Sequence, residues 1–187
     1  MNELYTYILA KVGMDNAILS EALEHFNVKL LKKNAYLIRP GQYMDNYYFV
    51  KSGGLRVYLK NNDKEFTAWL SFENNFLVDI SSINSKKPSK YYIQAIEDTE
   101  LLAISSKSMS QLYGKYNEWQ EFGRKLWEQA FLEVVDEMIN HQTLSAEERY
   151  IKFMAKSDIF HRIPLKQLCS FLGVTPNSLS RIRKNIR

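Results

Sequence analysis

The stretch Tyr47-Tyr48-Phe49-Val50-Lys51-Ser52-Gly53-Gly54-Leu55-Arg56-Val57-Tyr58-Leu59 sets two runs of aromatic and branched residues on either side of a glycine pair. Such residues suit a pleated, half-buried backbone, and the Ser-Gly-Gly break is a turn signal, so the stretch predicts two antiparallel strands. The pattern extends both ways. Tyr36-Leu37-Ile38 and the turn pair Pro40-Gly41 lie upstream, while Asn61-Asn62-Asp63 leads into Phe66-Thr67-Ala68-Trp69-Leu70 downstream. Tyr92-Ile93-Gln94-Ala95-Ile96 and Leu101-Leu102-Ala103-Ile104, joined by Glu97-Asp98-Thr99, predict another hairpin. Roughly seventy residues of closely spaced strands with tight hairpins predict an antiparallel sandwich, barrel or jelly roll.

Helical patterns flank this region. Over the first thirty residues Leu4, Ile8 and Leu9, then Ile18, Leu19, Ala22, Leu23 and Phe26, recur at three- and four-residue spacing. Beyond residue 116, Asn117 with Gln120 forms an expected capping box. From there Trp119, Phe122, Leu126, Ala130, Val134 and Met138 hold helical spacing to about Asn140, a helix of ~23 residues and ~35 Å. Trp127, Phe131, Leu132, Val135 and Ile139 widen its apolar surface beyond what packing on one domain needs. The expectation is a dimer helix, with one face on its own body and another on a second copy; the alternative is a helix enclosed within its own chain. Asn140-His141-Gln142-Thr143 is the expected hinge, because Ser145 with Glu148 forms a second capping box. The expected divisions are 1–116, 117–141 and 145–187.

The last of these carries the charge. Residues 145–187 hold nine Lys/Arg and three Asp/Glu, net +6, whereas residues 1–144 are net −2. A basic segment on a near-neutral body points to a polyanion, although a solvated charged face gives the same excess. Its sequence has the form of a helix-turn-helix over Pro164 to Ile186. Leu165, Leu168 and Leu172 share one face of a first helix, which stops at Gly173, the residue best suited to positive φ. Thr175 caps a second helix and Pro176 takes its first position. With Leu179, Ile182 and Ile186 facing inward and Cys169 a small packing residue at the crossing, Asn177, Ser178, Arg181 and Lys184 are left outward. Asn pairs with adenine and Arg with guanine in the major groove, while Lys suits phosphate. Arg183, Lys184 and Arg187 should add salt-dependent affinity.

Other chemistry is excluded by composition. A single cysteine precludes an internal disulfide, a four-thiolate cluster or a Cys-rich zinc site, and His25, His141 and His161 are isolated. No metal or cofactor is expected. The strand region Tyr36 to Ser105 contains no histidine, so a cupin-type enzyme is not expected either. Met1-Asn2-Glu3-Leu4-Tyr5 has no basic leader, and no run approaches the ~18 apolar residues of a membrane span. A cytoplasmic protein with no membrane partner is expected.

Helix, β-roll, long helix and helix-turn-helix in this order resemble the Crp/Fnr family of transcription regulators across nearly the whole chain. Leu37-Ile38-Arg39-Pro40-Gly41 followed by Tyr48 to Val57 is similar to the family's β-roll signature, and Leu179-Ser180-Arg181-Ile182 to the middle of its recognition helix. The resemblance implies an α+β fold: a jelly roll like a cyclic-nucleotide-binding domain with flanking helices, a long dimerisation helix and a C-terminal helix-turn-helix. It implies a dimer reading a palindromic double-stranded DNA operator, with recognition helices ~34 Å apart. RNA polymerase and an unidentified small-molecule effector are the further partners it suggests.

Three departures shape the expectation. Where nucleotide-binding members carry Gly-Glu-Leu and an Arg followed by Ser or Thr, this chain has Val78-Asp79-Ile80 and Ser89-Lys90, so the phosphate ligand is missing and control by cyclic AMP is not expected. Asp79, Ser89, Lys90 and Tyr91 remain the expected effector pocket, with Asp79 accepting hydroxyls and Lys86, Lys87 or Lys90 supplying charge; a solvated basic loop is the alternative. Tyr43, Tyr47, Tyr48, Tyr91 and Tyr92 could together line an aromatic cavity. Pro176 and Asn177 replace the family's frequent Arg-Glu, so Thr175, Asn177 and Ser178 carry over as locations and Arg181 alone carries over as a role. The sequence has no residues for the family's β-wing after the recognition helix, which implies fewer backbone contacts. The reading from a different class is a small-ligand sensor or protein-interaction module with a vestigial helix-turn-helix.

Overall fold

The computed structural model describes residues 1–62, 64–155 and 159–186; Asp63 of the expected turn and Arg187 of the expected basic end lie outside the described residues. The aromatic and branched runs form strands β2 (Tyr36–Ile38), β3 (Asn46–Ser52), β4 (Leu55–Asn61), β5 (Lys64–Ser71), β7 (Tyr92–Ala95) and β8 (Thr99–Ser105). Two more strands were not expected. β1 (Asn27–Leu31) replaces the end of the helical reading, and β6 (Phe76–Leu77) is a two-residue edge. β1 escaped the pattern because Val28 and Leu30 are 57% and 73% exposed, which leaves Leu31 as its one buried residue.

The strands form two antiparallel sheets, ordered β1-β8-β3-β6 and β2-β7-β4-β5. The expected hairpins at Ser52-Gly53-Gly54 and Glu97-Asp98-Thr99 are therefore not hairpins. Each carries the chain from one sheet to the other, and the two crossings lie against each other. Gly54 N donates to Thr99 Oγ1 at 3.1 Å, and Thr99 Oγ1 donates to the Gly54 carbonyl at 3.2 Å. Gly53 has φ +90°, and a Cβ on it would meet the Asp98 carbonyl at 2.6 Å, so the crossing requires glycine. Between β4 and β5 the chain does form a hairpin, with Asn62 in the left-handed region at φ +47°.

Ile38, Tyr48, Val50, Leu55, Val57, Ile93 and Leu101 fill the roll between the sheets. The outer side of the first sheet is covered by α1 (Asn2–Lys11), α2 (Asn16–Glu24), α4 (Ser106–Lys115) and the start of α5 (Asn117–Thr143), through Leu4, Ile8, Leu19, Phe49, Trp119 and Phe122. A short helix α3 (Ile80–Ser85) sits between β6 and β7. α5 has 27 residues, about 40 Å. Its expected capping box is absent: Asn117 is already helical, Tyr116 precedes it without a side-chain cap, and Gln120 Nε2 donates to the Tyr113 carbonyl at 2.7 Å. The expected hinge at 140–143 is helix instead. The chain breaks at Leu144, and Ser145 with Glu148 makes the predicted capping box of α6 (Ala146–Met154).

A short 3-10 turn (Phe160–Arg162) leads to α7 (Leu165–Leu172) and α8 (Pro176–Asn185). The core of this module includes Tyr150, Phe153, Leu168, Leu172, Leu179 and Ile182, and is shared with Phe72 and Ile96 of the roll.

Candidate nucleic-acid interface

The helix-turn-helix is set by local chemistry. α7 ends at Gly173 in the left-handed region (φ +70°), whose N–H donates to the Cys169 carbonyl. Thr175 Oγ1 then accepts the Ser178 N–H at 3.1 Å and Pro176 fills the first turn of α8. Leu168, Cys169, Leu172, Leu179 and Ile182 are buried where the helices cross, which bears out the packing reading of Cys169. Burial pushes the Cys169 thiol up, despite the Arg183 charge nearby. Leu165 and Ile186, expected inward, are 46% and 37% exposed, because both lie at helix ends beyond the crossing.

Thr175, Asn177, Ser178, Arg181 and Lys184 are exposed on α8 and its N-terminus. They differ in what they are free to do. The Thr175 and Ser178 hydroxyls lie 2.9 Å apart and serve the cap. Arg183 is turned back on its own module: Nε donates to Tyr150 Oη at 3.1 Å and the guanidinium lies over the Tyr150 and Phe160 rings. Of the expected contact residues, that leaves Asn177, Arg181 and Lys184 as the outward polar groups, with Ser180 and Asn185 also exposed on α8.

The module is docked on the roll. Ser170 Oγ accepts the Thr67 N–H of β5 at 2.9 Å and donates to the Glu65 carbonyl at 2.7 Å. Arg162 reaches two carboxylates, with Nε to Glu97 at 2.9 Å and the terminal nitrogens to Glu73 at 2.9 and 2.6 Å, while its guanidinium stacks 5.0 Å from the Phe72 ring. Burial works against charge on Glu73, but hydrogen bonds from Arg162 and from the Gly53 N–H outweigh it and hold the carboxyl below its usual range.

The expected dimer stripe divides in two. Trp119, Phe122 and Leu126 are buried in their own body and are not available to a second copy, and Ala130 is half-buried. The exposed apolar residues are offset around the helix. Trp127, Phe131, Val134 and Met138, at 37%, 68%, 55% and 54% exposure, alternate by four and three residues in the spacing of a coiled-coil seam, which Leu132 and Ile139, at 62% and 46%, widen on one side.

The expected effector residues are placed as follows. Asp79 is 7% exposed and caps α3, its Oδ1 accepting the Ser81 and Ser82 N–H groups at 3.1 and 3.2 Å, while Oδ2 is buried without a partner among the described residues. Ser89 is buried, its Oγ accepting the Tyr91 N–H at 3.1 Å. Lys90 is exposed and Tyr91 half-buried. The five tyrosines do not line one cavity: Tyr47 and Tyr48 point into different clusters, Tyr43 is 61% exposed, and Tyr92 stacks on Tyr58.

Residues 28–116 match the family model of the cyclic nucleotide-binding domain. Among solved structures, a variant of CooA from Carboxydothermus hydrogenoformans is 20% identical with a TM-score of 0.68, over 95% of this chain and 81% of that one. The c-di-GMP responsive global regulator CLP from Xanthomonas campestris is 15% identical with a TM-score of 0.71, over 92% and 91%. A protein from Eubacterium rectale assigned to the Crp/Fnr family of transcriptional regulators is 18% identical with a TM-score of 0.70, over 92% and 83%. The chain has the Crp/Fnr fold. No curated protein matches the sequence. The segment that matches the cyclic nucleotide-binding domain runs from β1 through α4 and contains Asp79, Ser89, Lys90 and Tyr91. No helix among the described residues is long and apolar enough to cross a membrane.

Within this Crp/Fnr fold, sequence reasoning missed Arg162 and Ser170. Their partners lie 65 to 105 residues away, so no local pattern could mark them.

Proposed function

We propose that this protein is a dimeric, sequence-specific DNA-binding transcription regulator that cyclic AMP does not control. The observation that carries this reading is the outward face of α8. Asn177, Arg181 and Lys184 project from a second helix whose inner side is fixed on α7 by Leu179 and Ile182. Those side chains suit base edges and phosphate, and the module around them supplies the basic charge. The Trp127-Phe131-Val134-Met138 seam gives a second copy a place to pack, which brings two recognition helices to successive major grooves. Loss of the nucleotide ligand follows from residue types: Ser89 is uncharged and committed to Tyr91, and Val78 places a side chain where the family has glycine. Contacts with RNA polymerase and a cytoplasmic location belong to the same reading.

The test is genomic capture at near-physiological salt, repeated with Arg181→Ala. Enrichment of a two-fold symmetric motif that the variant loses supports the reading; uniform weak retention by both proteins refutes it. Because Asp79 Oδ2 is buried and unpartnered among the described residues of the matched domain, a small-ligand sensor with a vestigial helix-turn-helix is the second reading, favoured by effector binding without salt-dependent DNA affinity.

A further inference from the structure

The inward face of α5 changes character along its length. Trp119, Phe122 and Leu126 bury that face against α1 and the first sheet. Carried forward at 3.6 residues per turn, the same face presents Glu133, Glu137 and Asn140, with Asp136 beside them. An inward stripe is ordinarily apolar, since burying carboxylates is costly. Here it fronts a solvent-open cleft of about 350 Å³ between α5, β5 and the helix-turn-helix module, in which Glu133 and Glu137 are half-buried and Asp136 is exposed. That volume lies within the ~300–1,000 Å³ of small-molecule sites.

The other walls are aromatic: Trp69 and Phe72 from the roll, and Phe153 and Phe171 from the module, the last two 5.3 Å apart at a tilt. Among the described residues, Asp136 and Glu137 make no ion pair, and Lys152 is the one cation lining the cleft. Lys152 is turned to Asn140 Oδ1 at 2.8 Å. Glu133 takes the Gln129 amide at 2.8 Å and faces Lys11 of α1. Asn140 is 8% exposed, and its Nδ2 has no acceptor among the described residues. Among the described lining residues, three carboxylates against one ammonium disfavour phosphates and nucleotides, and the aromatic walls favour a flat apolar body with a positive end.

We propose that the cleft binds an organic amine with an aromatic body, its ring among Trp69, Phe153 and Phe171 and its ammonium at Asp136 and Glu137. An occupied cleft would hold the roll, α5 and α7 together. Binding does not depend on the DNA-binding reading; only its consequence for DNA does.

The probe is tyramine, with tyrosol, which replaces the ammonium by a hydroxyl, as the neutral comparison. Both are titrated calorimetrically into the full chain at low salt, into Asp136→Asn/Glu137→Gln, and into Glu128→Gln, an exposed carboxylate pairing with Arg124 outside the cleft. The expected result is saturable one-to-one binding of tyramine, weakened about tenfold in tyrosol and in the double variant and unchanged in Glu128→Gln. Absence of saturable binding to folded wild-type protein, equal affinity for both probes, or an unaffected double variant with native circular dichroism would each overturn the proposal. DNA capture measured separately keeps its failure distinct from failure of the proposed function.

Discussion

Replacing Arg162 with alanine removes the side chain that ties the helix-turn-helix module to two carboxylates of the roll. The Arg162, Glu73 and Glu97 side chains are 28%, 32% and 29% exposed, so these are partly wet ion pairs rather than buried ones. A charged hydrogen bond contributes ~1.5–3 kcal/mol, and discounting for solvent leaves about 1 kcal/mol per carboxylate. The guanidinium stacked on Phe72 adds ~0.5–1 kcal/mol. The loss is therefore about 2–3 kcal/mol, and the undocked population should rise roughly 30- to 150-fold. Amide hydrogen exchange reads this directly. Leu168 to Leu172 of α7 should exchange faster by that factor, while central amides of β3 and β8, whose pairing Arg162 does not touch, should keep their rates. Unchanged α7 rates would refute the role of Arg162. A uniform acceleration across both sheets would refute the separable docking step.

Three other outcomes follow from the same geometry. Gly173→Ala meets no atom within 4 Å but places a Cβ at φ +70°, so it should cost about 1 kcal/mol and lower the melting midpoint by ~2–4 °C, with Gly173→Asn recovering part of the loss. Because Glu73 is held below its usual range in the folded protein, its contribution is full above pH ~4.5 and is lost as pH falls through the folded value; the acid-side fall in melting temperature should flatten in Glu73→Gln, and a parallel fall in both proteins would disprove this. Val134→Glu puts a charge in the exposed seam, so sedimentation should show a dimer for wild type and a monomer for the variant, whereas Trp119→Phe should leave the association state unchanged.

The parts of the fold that were legible were those whose determinants are adjacent in the chain. Gly173, Thr175 and Pro176 fix a turn, a cap and a first helical turn within four residues, and α8 follows. β3 and β4 each carry four successive buried residues, so aromatic and branched runs marked them. β1 has one buried residue and no such run. Sheet membership was illegible for another reason: Ser52-Gly53-Gly54 has the composition of a hairpin turn, and its role as a crossing is set by Thr99, 45 residues away. On α5, two apolar stripes share one periodicity, and spacing alone does not say which meets the body. Glu133 and Glu137, which interrupt the inner stripe, were the available signal.

The docking geometry limits how a signal could pass from the roll to the module. Full release would expose Phe72 and Ile96, now 3% and 1% exposed, at ~1.5–3 kcal/mol each, in addition to the Arg162 contacts. The total, about 5–9 kcal/mol, exceeds the ~1–3 kcal/mol that couples most allosteric sites. On the function proposed above, a ligand in the roll would act within the docked arrangement rather than by freeing the module. α5 is the element suited to such a shift, since it packs on the roll through Trp119 and Phe122, carries an exposed apolar seam, and reaches the module at Leu144 and Ser145. In the proposed dimer, a displacement along α5 would change the spacing of the two α8 helices while every docking contact stays closed, and operator spacing is the quantity to which a two-fold symmetric reader is sensitive.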